Sequence, residues 1–425
     1  MREGEIAIVG AGIGGLTAAL SLQAAGFAVR VFEAVSELRP LGVGINLLPH
    51  AVRELEELGL RAELEAAGVA CAELAYYTKR GQRIWAEPRG VRAGYRWPQI
   101  SIHRGRLQVA LLDAARARLG PERIQLGARL AGFESAPGRG VRARFATGAG
   151  VGAAAEVEAR LLVAADGIHS TARRALYPGE GAPRWNGAIM WRGVAEAEPL
   201  LDGRTMIMAG HTRQKFVAYP IAAPGGGRQT INFVAELRPT SADGALPERE
   251  DWSRPGRLAD FLPAFESWRF DWLDVPALIR AAGDVWVYPM IDRDPLPRWS
   301  FGPMTLLGDA AHPMYPIGSN GASQAVLDAR VLTGCLRHHE DPERALARYD
   351  EIRGAATREI VLANRAQGPE AAMQLVEDRA PGGFANVEDV VSQAELAAIA
   401  DRYKRLAGFS VAELNARPSL AAPTA

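Results

Sequence analysis

The chain has 425 residues, 48% of them hydrophobic and 23% charged, which predicts two or three domains around a large core and excludes a short scaffold or a wholly disordered chain. Basic and acidic residues balance at 49 each, so no net field draws the protein to nucleic acid or to anionic lipid.

From the amino terminus, Ile6 to Val29 runs without a charge and is long enough to span a bilayer. Glu3 and Glu5 stand where a signal peptide would be basic, and five glycines with Ser21 and Gln23 lower the hydrophobicity, so no membrane span is expected. The run divides better into a buried strand, Glu5 to Val9, a glycine loop, and an alanine-rich helix from about Leu16 to Ala25 closed by Gly26. Ala28 to Glu33 is a second strand, which completes a βαβ unit. In Gly10-x-Gly12-x-x-Gly15 the first glycine permits a tight turn, the second lets backbone approach a pyrophosphate, and the third lets helix pack on strand. Ile13 and Gly14 lie inside this loop and belong to the same candidate cofactor-binding set. Glu33 ends the next strand, where a carboxylate can accept both hydroxyls of an adenosine ribose. The loop alone does not separate NAD from FAD.

Further along, Leu161 to Ala165 is an apolar strand that delivers Asp166-Gly167 to a turn, and Thr305 to Leu307 is another that ends in Gly308-Asp309. At the carboxyl end of a parallel strand a short acid can accept from a ribityl hydroxyl, although taken singly such an Asp is more often a helix N-cap. His312 follows the second turn and is expected to hold that turn rather than to act as acid or base. His338 and His339 are adjacent on a helix, point about 100° apart, and make no metal pair.

The G-x-G-x-x-G, Asp-Gly and Gly-Asp motifs in this order resemble the single-component flavin-dependent aromatic hydroxylases, the para-hydroxybenzoate hydroxylase family. Leu41-Gly-Val-Gly-Ile-Asn46, Ser101-Ile-His-Arg104, Met190-Trp-Arg-Gly193, Tyr288 to Pro295 and Gly321-Ala-Ser-Gln look most like the phenazine-modifying hydroxylases of pyocyanin biosynthesis within it, a nearness of scaffold more than of substrate. The resemblance implies noncovalent FAD, with Arg104 on the pyrophosphate, Asp309 on a ribityl or phosphate group, and Pro316 against the isoalloxazine ring. It implies that the backbone of Gly321, Ala322 and Ser323 faces the flavin N1 and C2 carbonyl, and that Arg39 and Gly44 lie on a loop beside the flavin. Two departures stand out: the usual arginine after the ribose acid is Ala34, and the usual Gly-Gln-Gly before the last helix reads Ser319-Asn320-Gly321.

The implied fold class is α/β: a discontinuous Rossmann-like FAD-binding domain (1–75, 100–180 and 285–375), an inserted, mostly antiparallel β-sheet substrate domain (76–99 and 181–284), and C-terminal helices (376–425). Alternating runs between Trp185 and Trp286 read as its strands. Residues 341 to 375 are helical by period, and a last helix from about Val387 to Leu406 precedes a Pro and Ala tail expected to be mobile. Trp191, Tyr219 and Arg192 are the leading candidates for the substrate pocket. Trp191 and Tyr219 would form its wall, whereas Arg192 would either orient an anionic substrate or anchor the loop behind the flavin. Asn232, Tyr288 and Met290 occupy the same set of strands.

The expected activity is monooxygenation of an aromatic or N-heteroaromatic ring with O2 and NADH or NADPH through a flavin C4a-hydroperoxide. No second glycine fingerprint exists for the nicotinamide, which is therefore expected to bind transiently. Rival readings are a flavin oxidase, dehydrogenase or halogenase on the same scaffold, and a non-catalytic escort protein that kept the fold. The first lacks the cysteine pair of a disulfide reductase and the W-x-W-x-I-P of a halogenase. The second is disfavoured by the retained Glu33, Arg104, Asp166 and Asp309. Cys71 and Cys335 form no C-x-x-C, which excludes a disulfide framework and a cysteine-ligated zinc and suggests the cytoplasm; an oligomer is possible but not indicated. Only three basic residues are lysines, Lys79, Lys215 and Lys404, a bias that reads as codon usage rather than chemistry.

Overall fold

The computed structural model describes residues 4–40, 42–136, 138–147, 155–238 and 254–422; Leu41 of the resemblance motif and 239–253 of the insert lie outside them. One layer is a six-stranded sheet in the order Ser300–Phe301, Met304–Leu306, Leu161–Ala164, Ile6–Val9, Val29–Phe32 and Ile124–Gln125. It is parallel except at its Ser300 edge. Every residue of Ile6–Val9 and Leu161–Ala164 is buried. Such continuous apolar runs suit parallel strands covered on both faces. The cover comes from the helices Ile13–Ala24, Arg104–Leu119 and Gly321–His338 and from a three-stranded meander whose Phe145 stacks on Phe32 at 4.3 Å. The charge-free run at the amino terminus is thus a strand, a turn and a 12-residue helix. No helix among the described residues is long and apolar enough to cross a membrane.

The second layer is a seven-stranded sheet ordered Ala282–Asp292, Arg184–Ala197, Gln229–Leu237, Gln214–Pro220, Thr205–His211, Glu73–Tyr77 and Arg83–Pro88. Its pairs are antiparallel apart from Thr205–His211 with Glu73–Tyr77. The alternation of a strand gives this sheet two characters. On one face Trp191, Phe216 and Phe233 pack with Phe261, Phe265 and Trp268 under two short helices. The other face turns Met190, Arg192, Lys215, Val217 and Tyr219 toward the parallel sheet.

The carboxyl-terminal third differs from expectation. The helical stretch at 341 to 375 is two helices, Pro342–Arg365 and Ala371–Arg379, parted where Gln367 takes a left-handed φ of 70° ahead of Gly368-Pro369. The last long helix starts later, at Gln393–Leu406, where the Ser392 hydroxyl accepts from the Glu395 amide at 3.2 Å in a capping arrangement. The tail is also not loose. Val411–Ala416 is helical, and Arg337 donates to the Ala421 carbonyl at 2.7 Å. A Cβ on Gly334 would sit 2.5 Å from the Leu420 carbonyl oxygen, so this glycine lets the tail lie against the helix.

Candidate active site

Between the carboxyl ends of the parallel strands and the inner face of the second sheet lies a cavity of about 470 Å³. Its floor begins at the glycine loop, whose three glycines do different work. Gly10 has φ +99°, and a Cβ there would lie 2.4 Å from the Ala165 carbonyl; one on Gly15 would lie 1.9 Å from the Gly10 carbonyl. The fold itself therefore demands both. Gly12 has an ordinary φ of −74°, and a Cβ on it would meet no protein atom within 4 Å. Only something passing over the loop needs that side chain missing. Gly12, Ile13 and Gly14 all line the cavity.

Glu33 stands at the end of Val29–Phe32 as a brace. Its Oε2 accepts from the Ala11 amide at 2.7 Å and its Oε1 from the Val35 amide at 2.9 Å. Asp166 lines the cavity with one oxygen engaged, Oδ2 accepting from the Thr171 amide at 2.7 Å, while Oδ1 is buried with no hydrogen-bond partner. Burial pushes its carboxyl above the usual range, against the hydrogen bonds that favour the charged form. Asp309 opens directly onto the cavity. Enclosure by the walls raises its carboxyl, with His312 and Arg104 opposing.

The Gly-Asp turn is held from behind. Asp328 Oδ2 accepts from the Gly308 amide at 3.0 Å and meets His312 Nε2 at 2.5 Å, while Arg353 Nε donates to Oδ1 at 2.7 Å. Burial would raise the Asp328 carboxyl, but His312 and Arg353 reverse this and hold it down at about 2. His312 thus serves the turn. Pro316, Gly321 and Ala322 line the cavity, and the helix from Gly321 has no side-chain cap on its first amides. Ser323 sits behind, its hydroxyl accepting from the Leu48 amide at 3.1 Å. Ser319, which replaces a family glycine, has a left-handed φ of 57°.

On the sheet side, Arg192 Nη2 and the Tyr219 hydroxyl each donate to the Gly44 carbonyl at 2.7 Å, and the Gly44 amide donates to Asn232 Oδ1 at 2.7 Å. A Cβ on Gly44 would lie 2.7 Å from that of Asn232, so only glycine fits this clamp. Of the two roles open to Arg192, the loop anchor is the one its hydrogen bond describes.

Two candidates are displaced. Trp191 points away from the cavity and stacks on Phe261 at 5.2 Å, because it has the opposite parity to Met190 and Arg192 on its strand. Arg39 is exposed, 2.7 Å from Glu37 at the surface, and does not line the cavity. The wall is instead rich in methionine, with Met190, Met206, Met208, Met290 and Met314. Sequence reading also missed Lys215, Glu236 and Glu370, which line its far end.

A nucleotide cradle roofed by an apolar chamber of this shape is the architecture of an FAD-dependent aromatic monooxygenase. The chain belongs to that family: the family described as FAD binding domain matches residues 3–252. It is 44% identical to the phenazine 1,6-dicarboxylic acid hydroxylase of Lysobacter antibioticus over 95% of this chain and 97% of that protein. It is 33% identical to a 3-amino-4-hydroxybenzoate 2-monooxygenase of Streptomyces platensis over 97% and 98%. Among solved structures, HpxO of Klebsiella pneumoniae, complexed with FAD and uric acid, superposes with a TM-score of 0.70 at 25% identity over 95% of this chain and 92% of that one. A salicylate hydroxylase substrate complex superposes with a TM-score of 0.74 at 23% identity over 100% and 99%, a likeness of fold.

Proposed function

We propose that the chain is a single-component, NAD(P)H-dependent monooxygenase that hydroxylates a fused N-heteroaromatic ring of the phenazine class. The cavity carries the reading. Lys215, Val217 and Tyr219 share its side of one strand, so that wall runs about 13 Å at roughly 3.3 Å per residue, more than a single benzene ring requires. The full-length similarity to a phenazine hydroxylase points the same way.

The residues fit FAD. The space over Gly12 admits a pyrophosphate, and the uncapped amides at Gly321 and Ala322 favour negative charge on a reduced flavin ring. The orphaned Asp166 Oδ1 and the open Asp309 carboxylate offer acceptors to hydroxyl groups. Arg104, beside Asp309, would pair with phosphate, and Glu33 keeps lone pairs for a ribose. When bound, FAD supplies hydride acceptance and oxygen activation. The chain's own part is to present the ring between methionines, exclude water with the sheet, and hold Gly44 beside the flavin through Arg192 and Tyr219.

We divide the chain as 1–75, 100–180 and 285–375 for FAD, and 76–99 with 181–284 for substrate. Support comes from the strand Arg83–Pro88, which hydrogen-bonds into the antiparallel sheet; Glu73–Tyr77 and Ala282–Asp292 belong to the same sheet and cross the boundaries at 75 and 285, which therefore move to about 72 and 293. Burial raises both thiols to about 11, which suits inert cysteines in the cytoplasm. The reading requires neither nucleic acid nor a second copy of the chain.

NADH and NADPH oxidation measured with phenazine carboxylates, hydroxybenzoates and hydroxynicotinates, with products weighed for one added oxygen, tests the proposal. Acceleration by a phenazine with a product heavier by one oxygen is expected. A rate indifferent to every ring, with stoichiometric peroxide, would instead identify an oxidase.

A further inference from the structure

A cluster of charges that none of this chemistry uses closes the far end of the chamber. Lys215 and Glu236 face each other across adjacent antiparallel strands. Lys215 Nζ lies 2.7 Å from Glu236 Oε2 and also pairs with Glu370 Oε2. Glu370 arrives from a different part of the chain, the turn Gly368–Glu370 that follows left-handed Gln367. The three residues are 6%, 5% and 7% exposed, and all three line the cavity.

Counting charge gives the cluster its chemistry. Burial would strip Lys215 of its proton, but the two carboxylates more than reverse this and keep it an ammonium. Burial pushes the Glu370 carboxyl up against the pull of Lys215, and Glu236 adds to the push. With both glutamates ionised, one ammonium between two carboxylates leaves one formal negative charge beside Met206, Met208 and Val217. A buried charge of that kind is costly until a donor or a cation completes it. A ring carboxylate brought to Lys215 would face both glutamates. Such a group finds compensation at Arg192 on the same wall, whose Nε has no hydrogen-bond partner.

We propose that Glu236 and Glu370, fixed by Lys215, are the specificity pole of the substrate chamber: they accept a hydrogen bond from a ring O–H or N–H group and reject a ring carboxylate. The inference rests on the N-heteroaromatic reading above. It orients the substrate, with its donor at Glu370 and any anionic group toward Arg192. Lys215 is then a positioning residue, holding both carboxylates without touching the ring.

Titration of the FAD-loaded protein with 1-hydroxyphenazine and with phenazine-1-carboxylic acid, followed through the flavin absorbance, tests this. Glu370→Gln, and independently Glu236→Gln, should weaken the hydroxy ligand about tenfold, since one charge-assisted hydrogen bond is lost, and should leave the carboxylate ligand unchanged or tighter. The ratio of the two affinities is the readout, because simple damage to the pocket would lower both together. Equal changes for both ligands in the variants, with FAD retained, would overturn the specificity pole alone. Failure of the wild-type protein to bind either ring or to speed NADH or NADPH oxidation with them would overturn the phenazine reading and this inference with it.

Discussion

Arg192 and Tyr219 share one acceptor, the Gly44 carbonyl, each at 2.7 Å. Two donors from one sheet thereby fix the first residue of the strand Gly44–Leu47, which belongs to a separate three-stranded sheet rather than to the loop expected from the sequence. Burial raises the Tyr219 hydroxyl, so it remains a donor throughout the neutral range. Tyr219→Phe should cost about 1 kcal/mol and Arg192→Met about 1.5–3 kcal/mol. The double variant should lose more than the sum, because the carbonyl is then orphaned. Denaturant unfolding of the four proteins measures the coupling.

The glycine loop predicts a clean separation of binding from folding. A Cβ at Gly12 meets no protein atom within 4 Å, so Gly12→Val should fold with an unchanged far-ultraviolet circular dichroism spectrum yet purify without the 450 nm band of FAD. Gly15→Ala should instead impair the fold, since its Cβ would meet the Gly10 carbonyl at 1.9 Å. A yellow Gly12→Val protein would remove the pyrophosphate from this loop.

Acid sensitivity should trace to Asp328. Its carboxyl is held at about 2 against an ordinary 3.8, so its contribution to stability is complete above the ordinary value and drains away as the pH falls through about 2. Asp328→Asn should lower stability at neutral pH and flatten the acid limb of the unfolding curve in that window. Melting temperatures taken from pH 7 to pH 2 provide the comparison.

Ser319 carries a strained backbone where its family has glycine. At φ 57° an L-residue costs about 1 kcal/mol, so Ser319→Gly should raise stability by about that amount, discounted by the extra freedom of glycine in the unfolded chain. The rise should appear in the melting temperature of the FAD-loaded protein.

Trp191 tests the parity of its strand. Packed against Phe261 outside the chamber, Trp191→Ala should cost about 3–5 kcal/mol of stability. Molecules that stay folded should couple reductant to product as wild type does. A specific rise in peroxide leakage would return Trp191 to the pocket.

What the sequence disclosed was whatever is encoded within a few residues. The glycine loop, Glu33, Asp166-Gly167 and Gly308-Asp309 each need only a strand, a turn and a local spacing, and each fell where it was expected. Trp191 misled because a strand has two faces, and a bulge or a single residue of register decides which of them is roof and which is core. Arg39 misled because a position on a loop says little about its direction. Lys215 was visible as one of three lysines among 49 basic residues, a rarity set aside as codon usage. Its partner Glu236 could have been sought on the adjacent strand. Glu370, 155 positions beyond Lys215 and delivered by a turn that a left-handed Gln367 starts, leaves no local signal at all.

The cavity floor gathers Gly12, Arg104, Asp166, Asp309 and Gly321 from all along the chain. A dinucleotide gripped at those points is a clasp on the architecture as well as a reagent, so heat tolerance becomes a function of vitamin supply. At a hundredfold excess of FAD over its dissociation constant the clasp is worth about 2.7 kcal/mol. Cells producing this protein faster than they produce riboflavin would accumulate a paler, softer population that melts earlier and feeds proteolysis. Yield and colour in a purification would then report a host's flavin metabolism before they report anything about the gene.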